Sequence, residues 1–430
     1  MGQTFVLDIR ANLVLDMRLT HSFERLAPVM STNTLHILIS GGGIAGNSLA
    51  LQLLRAGIRT TVIERAPEAR PGGQAVDLRG PSREVAERMG LMPGIRKYQL
   101  DERGMAYVDE NGREFARMPA EMFDGKGPVA EIEITRGDLN QVLLTELSST
   151  AGELDYRYGE WIVALRQDDT GVEVDFASGR TERFDLVVGA DGVHSATRQL
   201  AFGPEEQFVT YLGGYMSFFT IPTPAGTEPG WFKMHAVPSA AVAIRPDADP
   251  ATSKAIITMR TEADPALRRD VAAQQRLIHD MLAEAGWQAP AVLDAMTATP
   301  DFYFDMLARV DMPSLSTGRV TLLGDSGFCG SPMTGMGTAM AIVGAYVLAG
   351  EIAAAPDDLA MALTRYEEIV CPFLDKAKEL PGGGIKMMLP TSRLGMRMAR
   401  TTMKVMTWRV MRPVMLRMMS DTDDYVLPTY

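Results

Sequence analysis

Cysteine, metal-ligand clusters and long apolar runs are scarce in this sequence. Only two of its 430 residues are cysteine, Cys329 and Cys371, so we expect no disulfide framework and a reducing, cytoplasmic location. No stretch offers about 18 uninterrupted apolar residues, so we expect no transmembrane helix. No Ser-His-Asp arrangement or metal-ligand spacing stands out, so we predict no metal site.

The charge is unbalanced, with an acidic excess. The net charge of −12 disfavours nucleic acid as a partner. An apolar fraction of 46% is ordinary for a globular enzyme, and the length predicts roughly two to three domains. Charged positions interrupt residues 1–33 and exclude a signal-peptide core, and Met30 resembles a natural start. We therefore expect a disordered extension there, with a docked N-terminal arm as the alternative.

The clearest signal is a glycine-rich stretch near the start of the chain. Residues 35–40 predict a buried parallel strand, and Gly41, Gly43 and Gly46 follow it at GxGxxG spacing. The first glycine allows a tight turn, the second lets the backbone approach a pyrophosphate, and the third allows close helix packing. Glu64, at the end of the next strand, is placed to bind ribose hydroxyls. The motif predicts a dinucleotide without deciding between NAD and FAD.

The rest of the chain alternates between helical and strand patterns. The first predicted elements are a helix through about Met89 with Ser82 as its N-cap, a hairpin at 105–117, a strand at 131–135 and a helix at 136–148. A small antiparallel sheet of 156–161, 162–167, 171–176 and 182–184 and a buried strand at 186–189 follow. The later ones are antiparallel strands at 211–221, 231–237, 240–244 and 254–260, a helix at 265–284, a strand at 319–325, and helices at 338–354 and 356–370.

This order predicts an α/β fold in which a Rossmann-type domain is split around an inserted antiparallel-sheet domain. A C-terminal helical segment follows. The predicted boundaries are 34–103, 131–205 and 300–370 for the dinucleotide domain, 104–130 and 206–299 for the inserted substrate domain, and 371–430 for the helical region.

Two further motifs give the chain a family resemblance. One is Gly189-Ala-Asp191-Gly192-Val-His-Ser-Ala-Thr-Arg198, and the other is Gly324-Asp325 followed by Pro332 and Gly335-Met-Gly337. With the GxGxxG stretch, they resemble the single-component, class A FAD-dependent monooxygenases of the para-hydroxybenzoate hydroxylase fold. The resemblance covers roughly residues 34–370. It points to a divergent branch near hydroxylases that modify antibiotics and polyketides.

The resemblance implies non-covalent FAD and NAD(P)H as a transient co-substrate. In this family the Asp-Gly pair of the second motif serves both nucleotides, and the aspartate of the third holds the ribityl chain. The cofactor residues that it implies are Gly41, Gly43, Ala45, Gly46, Glu64, Arg65, Asp77, Arg136, Asp191, Gly192, Asp325, Pro332, Gly335, Met336, Gly337 and Thr338.

Some positions depart from the family pattern. Phe328 stands where a histidine is usual, Ala339 where an asparagine is usual, and Val343-Gly344 where an acidic pair is usual. These changes put side-chain hydrogen bonds to the flavin ring in doubt and leave the backbone contacts intact. Cys329 lies in the same loop, and we expect a buried inert thiol rather than a covalent flavin link.

The resemblance also implies a reaction. In this family NAD(P)H reduces FAD, O₂ adds to the flavin C4a atom, and the hydroperoxide transfers one oxygen atom. We therefore predict hydroxylation of an aromatic or polyketide-like small molecule, possibly an antibiotic, with epoxidation and Baeyer–Villiger insertion left open. Substrate contacts are expected from the inserted sheet, with core packing as the alternative for each candidate. The candidates are Tyr211, Tyr215, Phe219, Trp231, Met234, His235 and Arg245.

Three other functions share parts of this pattern. A flavin-dependent reductase of the same fold would act on an isoprenoid or polycyclic substrate without inserting oxygen. A flavin-dependent halogenase would need a clustered tryptophan signature, and the four tryptophans here lie far apart. A non-enzymatic FAD-binding protein is disfavoured by the complete set of motifs.

The C-terminal region is basic and rich in methionine. Residues 386–420 contain eight basic and ten methionine residues and no acidic ones. Arg393, Arg397, Arg400 and Lys404 recur at helical spacing beside apolar positions. We expect this helix to dock on the acidic body, and attraction to anionic lipid is the alternative. The pattern does not decide the oligomeric state.

Overall fold

Two large β-sheets carry the fold of the computed structural model. The structure describes residues 35–70, 72–123, 130–380, 383–408, 411 and 425–430. Leu35–Tyr430 form one compact unit. The extension predicted for residues 1–33 lies outside the described residues, as does part of the predicted C-terminal helical region.

The first sheet is mostly parallel. Its strands are β1 (His36–Ser40), β2 (Arg59–Glu64), β7 (Leu154–Tyr158), β11 (Leu186–Gly189), β17 (Ser316–Thr317) and β18 (Val320–Leu322). They run in the order β17-β18-β11-β1-β2-β7, and only the β17–β18 pair is antiparallel. Because Ser40 is in register with Gly189, and Gly189 with Leu322, the loops after β1, β11 and β18 meet at one edge.

Four long helices share a core with this sheet. They are α1 (Ile44–Arg55), α4 (Arg136–Ser149), α9 (Gly337–Ala354) and α10 (Leu359–Ala377). Among the described helices, α9 is the one that is long and apolar enough to cross a membrane. Its 18 residues are 83% buried inside the protein. A helix that is apolar all round and buried in this way is a core helix.

The second sheet is almost wholly antiparallel. Its strands are β4 (Gly104–Val108), β5 (Glu114–Pro119), β12 (Val209–Pro222), β13 (Trp231–Val237), β14 (Ala240–Pro246), β15 (Thr252–Arg260) and β16 (Tyr303–Val310). They run in the order β16-β12-β15-β14-β13-β4-β5, and only the β13–β4 pair is parallel. Helices α6 (Val271–Leu282) and α7 (Ala289–Met296) pack on one face of this sheet. The opposite face carries residues of the candidate active site.

Smaller elements complete the described fold. Two minor sheets pair β3 (Ala75–Asp77) with β6 (Glu133–Thr135), and β8 (Ile162–Asp168), β9 (Gly171–Phe176) and β10 (Thr181–Phe184) with one another. The remaining helices are α2 (Gly80–Arg88), α3 (Met92–Lys97), α5 (Ala196–Ala201), α8 (Asp325–Phe328), α11 (Gly384–Met388) and α12 (Arg393–Met406).

The predicted fold class is confirmed, and two local predictions are wrong. Strand β7 does not join the small antiparallel sheet, because it pairs in parallel with β2 at the edge of the first sheet. Its alternating Leu-Asp-Tyr-Arg-Tyr pattern reflects that half-exposed edge position. Ser82 is not an N-cap, because α2 starts two residues earlier with Pro81 in its first turn. The Ser82 hydroxyl donates instead to the Arg79 carbonyl, at 2.8 Å.

Candidate active site

The three glycines of the first motif have different surroundings. A side chain at Gly41 would collide with the carbonyl of Ala190, and one at Gly46 would collide with the carbonyl of Gly41. At Gly43 the nearest atom to an added Cβ is Nη2 of Arg136, at 3.9 Å. Gly43 also caps α1 without a side-chain hydrogen bond. Two glycines are therefore required by packing, and the middle one opens onto free space beside a helix N-terminus and a guanidinium.

Glu64 holds this loop in place. One carboxylate oxygen accepts a hydrogen bond from the Gly42 amide, at 2.9 Å, and the other accepts from the Ala66 amide, at 2.8 Å. The glycine loop and the end of β2 are thus tied together. The side chain is half-buried, which leaves part of it accessible to a ligand.

The second motif forms a self-supporting loop. Asp191 accepts hydrogen bonds from the Ser195 hydroxyl and from the Thr197 amide, the latter at 2.9 Å. Arg198 is fully buried and donates to the carbonyl oxygens of Ser326, at 2.9 Å, and Val193, at 2.7 Å. Burial lowers the pKa of its guanidinium. Arg198, to which the sequence assigned no role, therefore links the second motif to the third.

The third motif supplies a carboxylate, Asp325, at the start of α8, just after β18. Asp325 is accessible to solvent although protein atoms surround it closely. This environment raises the pKa of its carboxyl group, and the nearby Arg136 opposes the shift. Further along, Gly335 adopts a left-handed conformation with a φ of 67°. An added Cβ at Gly335 or Gly337 would meet no atom within 4 Å. The loop before α9 is therefore as open as the backbone at Gly43.

A chain of charged and polar groups lies near Asp325. His194 lies between two carboxylates, with Nδ1 3.1 Å from Glu205 and Nε2 3.1 Å from Asp305. These hydrogen bonds raise the pKa of His194 to about 9. The Tyr303 hydroxyl donates to the other oxygen of Asp305, at 3.0 Å. Tyr303 is 42% exposed and is electrostatically coupled to Arg136 and Asp325.

Sequence reasoning missed the last three members of this chain. Strand β16, which carries Tyr303 and Asp305, was not predicted. The alternating Tyr-Phe-Asp-Met-Leu pattern of residues 303–307 was the signal that could have revealed it. Glu205 comes from a short 3₁₀ turn, Glu205–Gln207, whose relation to His194 only the tertiary structure fixes.

One row of side chains crosses the face of the large sheet that α6 and α7 leave uncovered. Strand registers pair each member of the row with the next one, from Tyr303 on β16, across β12, β15, β14 and β13, to Tyr107 on β4. Registered partners point to the same side of a sheet. The row is Tyr303, Phe218, Ile256, Ala243, Met234 and Tyr107.

This face meets the dinucleotide-binding part of the chain. Arg245 reaches the carbonyl of Ala75 on β3, at 3.3 Å. An added Cβ at Gly72 would lie 3.3 Å from Nζ of Lys254. Arg245 and Lys254 are themselves in register on β14 and β15. We call the side that carries these residues and the apolar row the open face, because α6 and α7 do not cover it. The side chains from α11, the residue after it and α12 that pack against part of this face are Ile385, Leu389 and Met406.

Most of the substrate candidates lie on the opposite face. Tyr215 and Phe219 pack in the core formed with α6 and α7, with Tyr211 against it. The Tyr215 hydroxyl accepts from the Asp264 amide, at 2.9 Å, and the Tyr211 hydroxyl donates to the Thr261 carbonyl, at 2.8 Å. A strand alternates its sides residue by residue, so Phe218 and Phe219 face opposite ways. The prediction for these three aromatic residues is corrected accordingly.

His235 and Trp231 also lie away from the open face. The two ring nitrogens of His235 lie 3.0 Å from the Val108 carbonyl oxygen and 2.8 Å from that of Ala285. No ring nitrogen is left to deprotonate a phenol. The Arg117 guanidinium carbon lies 3.4 Å from the centroid of the Trp231 ring. Trp231 also borders a separate cavity of about 220 Å³.

Arg245 lies on the open face, but two carboxylates bind its guanidinium group. Its guanidinium pairs with Glu102, at 2.7 Å, and with Glu133, at 2.8 Å. Burial raises the pKa of Glu133 to about 7, and Arg245 opposes that shift. The cluster joins β14 to β6, so Arg245 is a structural link and is not free to bind a substrate. Met234 is the candidate that the structure places in the open row.

Comparison with known proteins identifies the family. The model of a family described as an FAD binding domain matches residues 34–374. The chain belongs to this family. A flavin-dependent monooxygenase of Legionella longbeachae is 35% identical over 347 residues, which are 80% of this chain and 87% of that protein. Monooxygenase CTB7 of Cercospora beticola is 33% identical over 394 residues, 88% of this chain and 94% of that one.

Comparison with solved structures supports the same family assignment. Tetracycline destructase Tet(55) superposes with a TM-score of 0.77 and 31% identity, over 92% of this chain and 99% of that one. HpxO of Klebsiella pneumoniae, solved with FAD and uric acid, has a TM-score of 0.72 over 90% and 96% of the two chains. At 20% identity, that second likeness shows the fold alone. The protein is a class A FAD-dependent monooxygenase of the para-hydroxybenzoate hydroxylase fold.

The residues present fit FAD. Open backbone at Gly43, Gly192, Gly335 and Gly337 provides cradles that a Cβ would fill. The N-termini of α1 and α9 have no side-chain cap, which suits anionic groups. The Asp325 carboxylate suits a polyol such as the ribityl chain. FAD is thus the cofactor of this monooxygenase, and the assignment of each residue to a part of FAD stays a prediction.

Some of the other predicted cofactor residues lie at the start of α9, and others lie away from it. Thr338 is buried near the start of α9, and Met336 precedes that helix. Pro332 opens the short turn before Gly335. Arg65 is exposed, and Asp77 is paired with Arg79. Arg136, in contrast, lies near both Gly43 and Asp325.

Phe328 and Gly344 both depart from the monooxygenase pattern, and the small residue offsets the volume of the large one. Phe328 is buried, and an added Cβ at Gly344 would lie only 3.0 Å from its ring. The glycine thus makes room for a ring larger than the usual histidine. Cys329 next to it is also buried, and burial raises the pKa of its thiol well above the ordinary value. Such a thiol is unreactive, which supports non-covalent flavin.

Proposed function

We propose that this monooxygenase uses NAD(P)H and O₂ to insert one oxygen atom into an aromatic or polyketide-like small molecule. A tetracycline-type antibiotic is the first candidate substrate. The observation that carries the proposal is the apolar row on the open face, together with the likeness to Tet(55) over 92% of the chain. A reducing compartment with NAD(P)H, such as the cytoplasm, fits this reaction.

The row has the shape and polarity for a broad, flat ligand. It spans six adjacent strands, roughly 24 Å at about 4.8 Å spacing, and α11 and α12 pack against the end that carries Met234 and Tyr107. Phe218, Ile256 and Met234 supply apolar contact in its centre. Aromatic and methionine side chains favour planar apolar rings through stacking and sulfur contacts. A polycyclic substrate would therefore gain contacts along several strands.

Tyr303 provides a polar group at one end of the row. Because its hydroxyl hydrogen is donated to Asp305, the phenolic oxygen retains lone pairs for a substrate hydroxyl. His194 lies between Asp305 and Glu205, which raise its pKa to about 9, and its contact with Asp305 fixes the position of the carboxylate that accepts that hydrogen bond. Tyr303 would thus orient a phenol or enol on an otherwise apolar surface.

FAD, when bound, supplies hydride acceptance from NAD(P)H and activation of O₂. The protein's own groups do the rest. The backbone at Gly43 and the Arg136 guanidinium would bind the phosphates, and the Asp325 carboxylate would hold the ribityl hydroxyls. The apolar row would exclude water from the reacting centre.

The test is turnover under ¹⁸O₂ with NADPH or NADH and a panel of phenols, polycyclic polyketides and tetracyclines. A true substrate should accelerate flavin reduction, and its product should gain one labelled oxygen atom by mass spectrometry. A turnover product without oxygen from O₂ would instead identify the reductase chemistry of the same fold.

A further inference from the structure

Helix α12 is docked on the body through one of its faces. Met396 is buried, and Met406 packs against the cluster of Met105 and Met118 on β4 and β5. Arg400 reaches Glu110 at 3.4 Å, and its guanidinium lies 5.6 Å from the Phe115 ring centroid. The predicted docking of this basic helix is therefore present in the structure, and it occupies only the inner side.

The outer side of α12 is apolar and exposed. Leu394, Met398 and Val405 are 68%, 65% and 41% exposed, and Trp408, just beyond the helix, is 64% exposed. Each residue turns an α-helix by about 100°, so Leu394, Met398 and Val405 lie within roughly 40° of one another, opposite Met396. They form an apolar stripe, interrupted by Thr401 between Met398 and Val405, here called the outer stripe.

Exposed apolar side chains are concentrated in this region. Of the fifteen large apolar residues that are exposed in the described chain, six lie between positions 387 and 408. These six are Met387, Met388, Leu394, Met398, Val405 and Trp408. Single exposed apolar residues are normal, whereas a contiguous patch marks an interaction surface.

Cations flank the outer stripe on one side. Residues 386–408 contain five basic residues and no acidic one. By helical geometry Arg397 borders the stripe, with Arg393 next to it, whereas the Lys404 ammonium turns towards the body, 6.0 Å from the Phe115 ring centroid. An apolar stripe with a basic border is the pattern of a helix that lies in the headgroup region of a membrane.

We propose that the outer stripe of α12 binds an anionic lipid surface. A symmetric contact between two copies through this stripe would bring the same cations together, which disfavours it. Anionic headgroups complement the cations while the acyl region accepts the apolar side chains. The acidic body, at a net charge of −12 for the whole chain, makes this attachment weak and sensitive to salt. The proposal does not depend on the identity of the substrate.

Vesicle co-sedimentation of the full-length, FAD-loaded protein tests it. The protein should sediment with phosphatidylglycerol-containing vesicles at low salt, and much less with pure phosphatidylcholine vesicles. The double variant Leu394→Glu/Met398→Glu should reduce the bound fraction by about tenfold. Met361→Glu is the matched control, because Met361 is a 52% exposed methionine on a different helix. It should bind as the wild type does.

Several results would overturn the proposal. These are no sedimentation at low salt, equal binding to uncharged vesicles, or an equal loss in the Met361→Glu control. Self-association that the double variant abolishes, without any vesicle binding, would show that a second copy occupies the stripe instead. Flavin absorbance and melting temperature verify folding. If the double variant fails to fold, Arg393→Gln/Arg397→Gln replaces it, and unchanged vesicle binding by that variant would also overturn the proposal.

Discussion

The two faces of the seven-stranded sheet carry similar side chains and differ in what lies against them. On the covered face, Tyr215 and Phe219 pack with α6 and α7, and the Tyr215 hydroxyl is bound by the backbone of Asp264. On the open face, Phe218 lies beside partly buried methionines. The Tyr303 hydroxyl donates to Asp305, which His194 contacts in turn. We therefore expect similar aromatic residues to serve stability on one side and ligand contact on the other.

The largest expected difference comes from two neighbouring phenylalanines. Phe219→Ala should lower the free energy of unfolding by about 3–5 kcal/mol, because it leaves a cavity in a closed core. Phe218→Ala should cost roughly half as much, since its smaller cluster includes three side chains that are only partly buried, Met216, Phe232 and Met234, and should raise the KM for substrate instead. Urea unfolding and steady-state kinetics on both variants make the comparison. Equal stability losses with an unchanged KM for Phe218→Ala would contradict the division between the faces.

The next difference is in pH dependence. His194 has a pKa of about 9 in the folded protein against an ordinary value of 6.5, so its contribution to stability is complete below pH 6.5. That contribution is lost as the pH rises through about 9. Allowing for partial exposure, the wild type should lose about 2 kcal/mol of unfolding free energy across this window.

The variant His194→Gln provides the control for this loss. It cannot carry the imidazolium charge, so its unfolding free energy should change less over the same pH range. Denaturant unfolding of both proteins at several pH values measures the difference. Parallel curves for the two proteins would show that His194 is not held between Asp305 and Glu205 in solution.

The smallest difference concerns the two tyrosines. Tyr303→Phe removes the phenolic oxygen that we expect to accept from substrate, so the KM should rise by about fivefold with little change in stability. Tyr215→Phe should do the reverse, costing about 1 kcal/mol of stability because the Asp264 amide loses its acceptor. A substrate analogue without the hydroxyl should bind both Tyr303 forms equally. If it discriminates between them, Tyr303 acts by packing alone.

The sequence was informative where local geometry dictates the residue. Gly46 is required by a backbone contact with Gly41, five residues away, and β1 and β11 are continuous apolar runs, so the glycine loop and the parallel sheet were predictable. The contact of Gly41 with Ala190 is distant in sequence, and only the GxGxxG spacing indicated that glycine. The face that a strand turns toward the cofactor depends on how the sheet packs, and alternation alone fits either choice. For this reason Phe219 was selected instead of Phe218. The relation of His194 to Asp305 spans 111 residues and has no local signature.

Flavin occupancy of a Gly43→Val variant tests the placement of the cofactor most directly. Gly43 has a φ of −85°, which valine tolerates, and the nearest atom to an added Cβ is 3.9 Å away, so the fold should be retained. The side chain would nevertheless fill the space reserved for the pyrophosphate. We predict a colourless protein with the melting temperature of the wild-type apoprotein. A folded Gly43→Val protein that purifies with one FAD per chain would contradict the account.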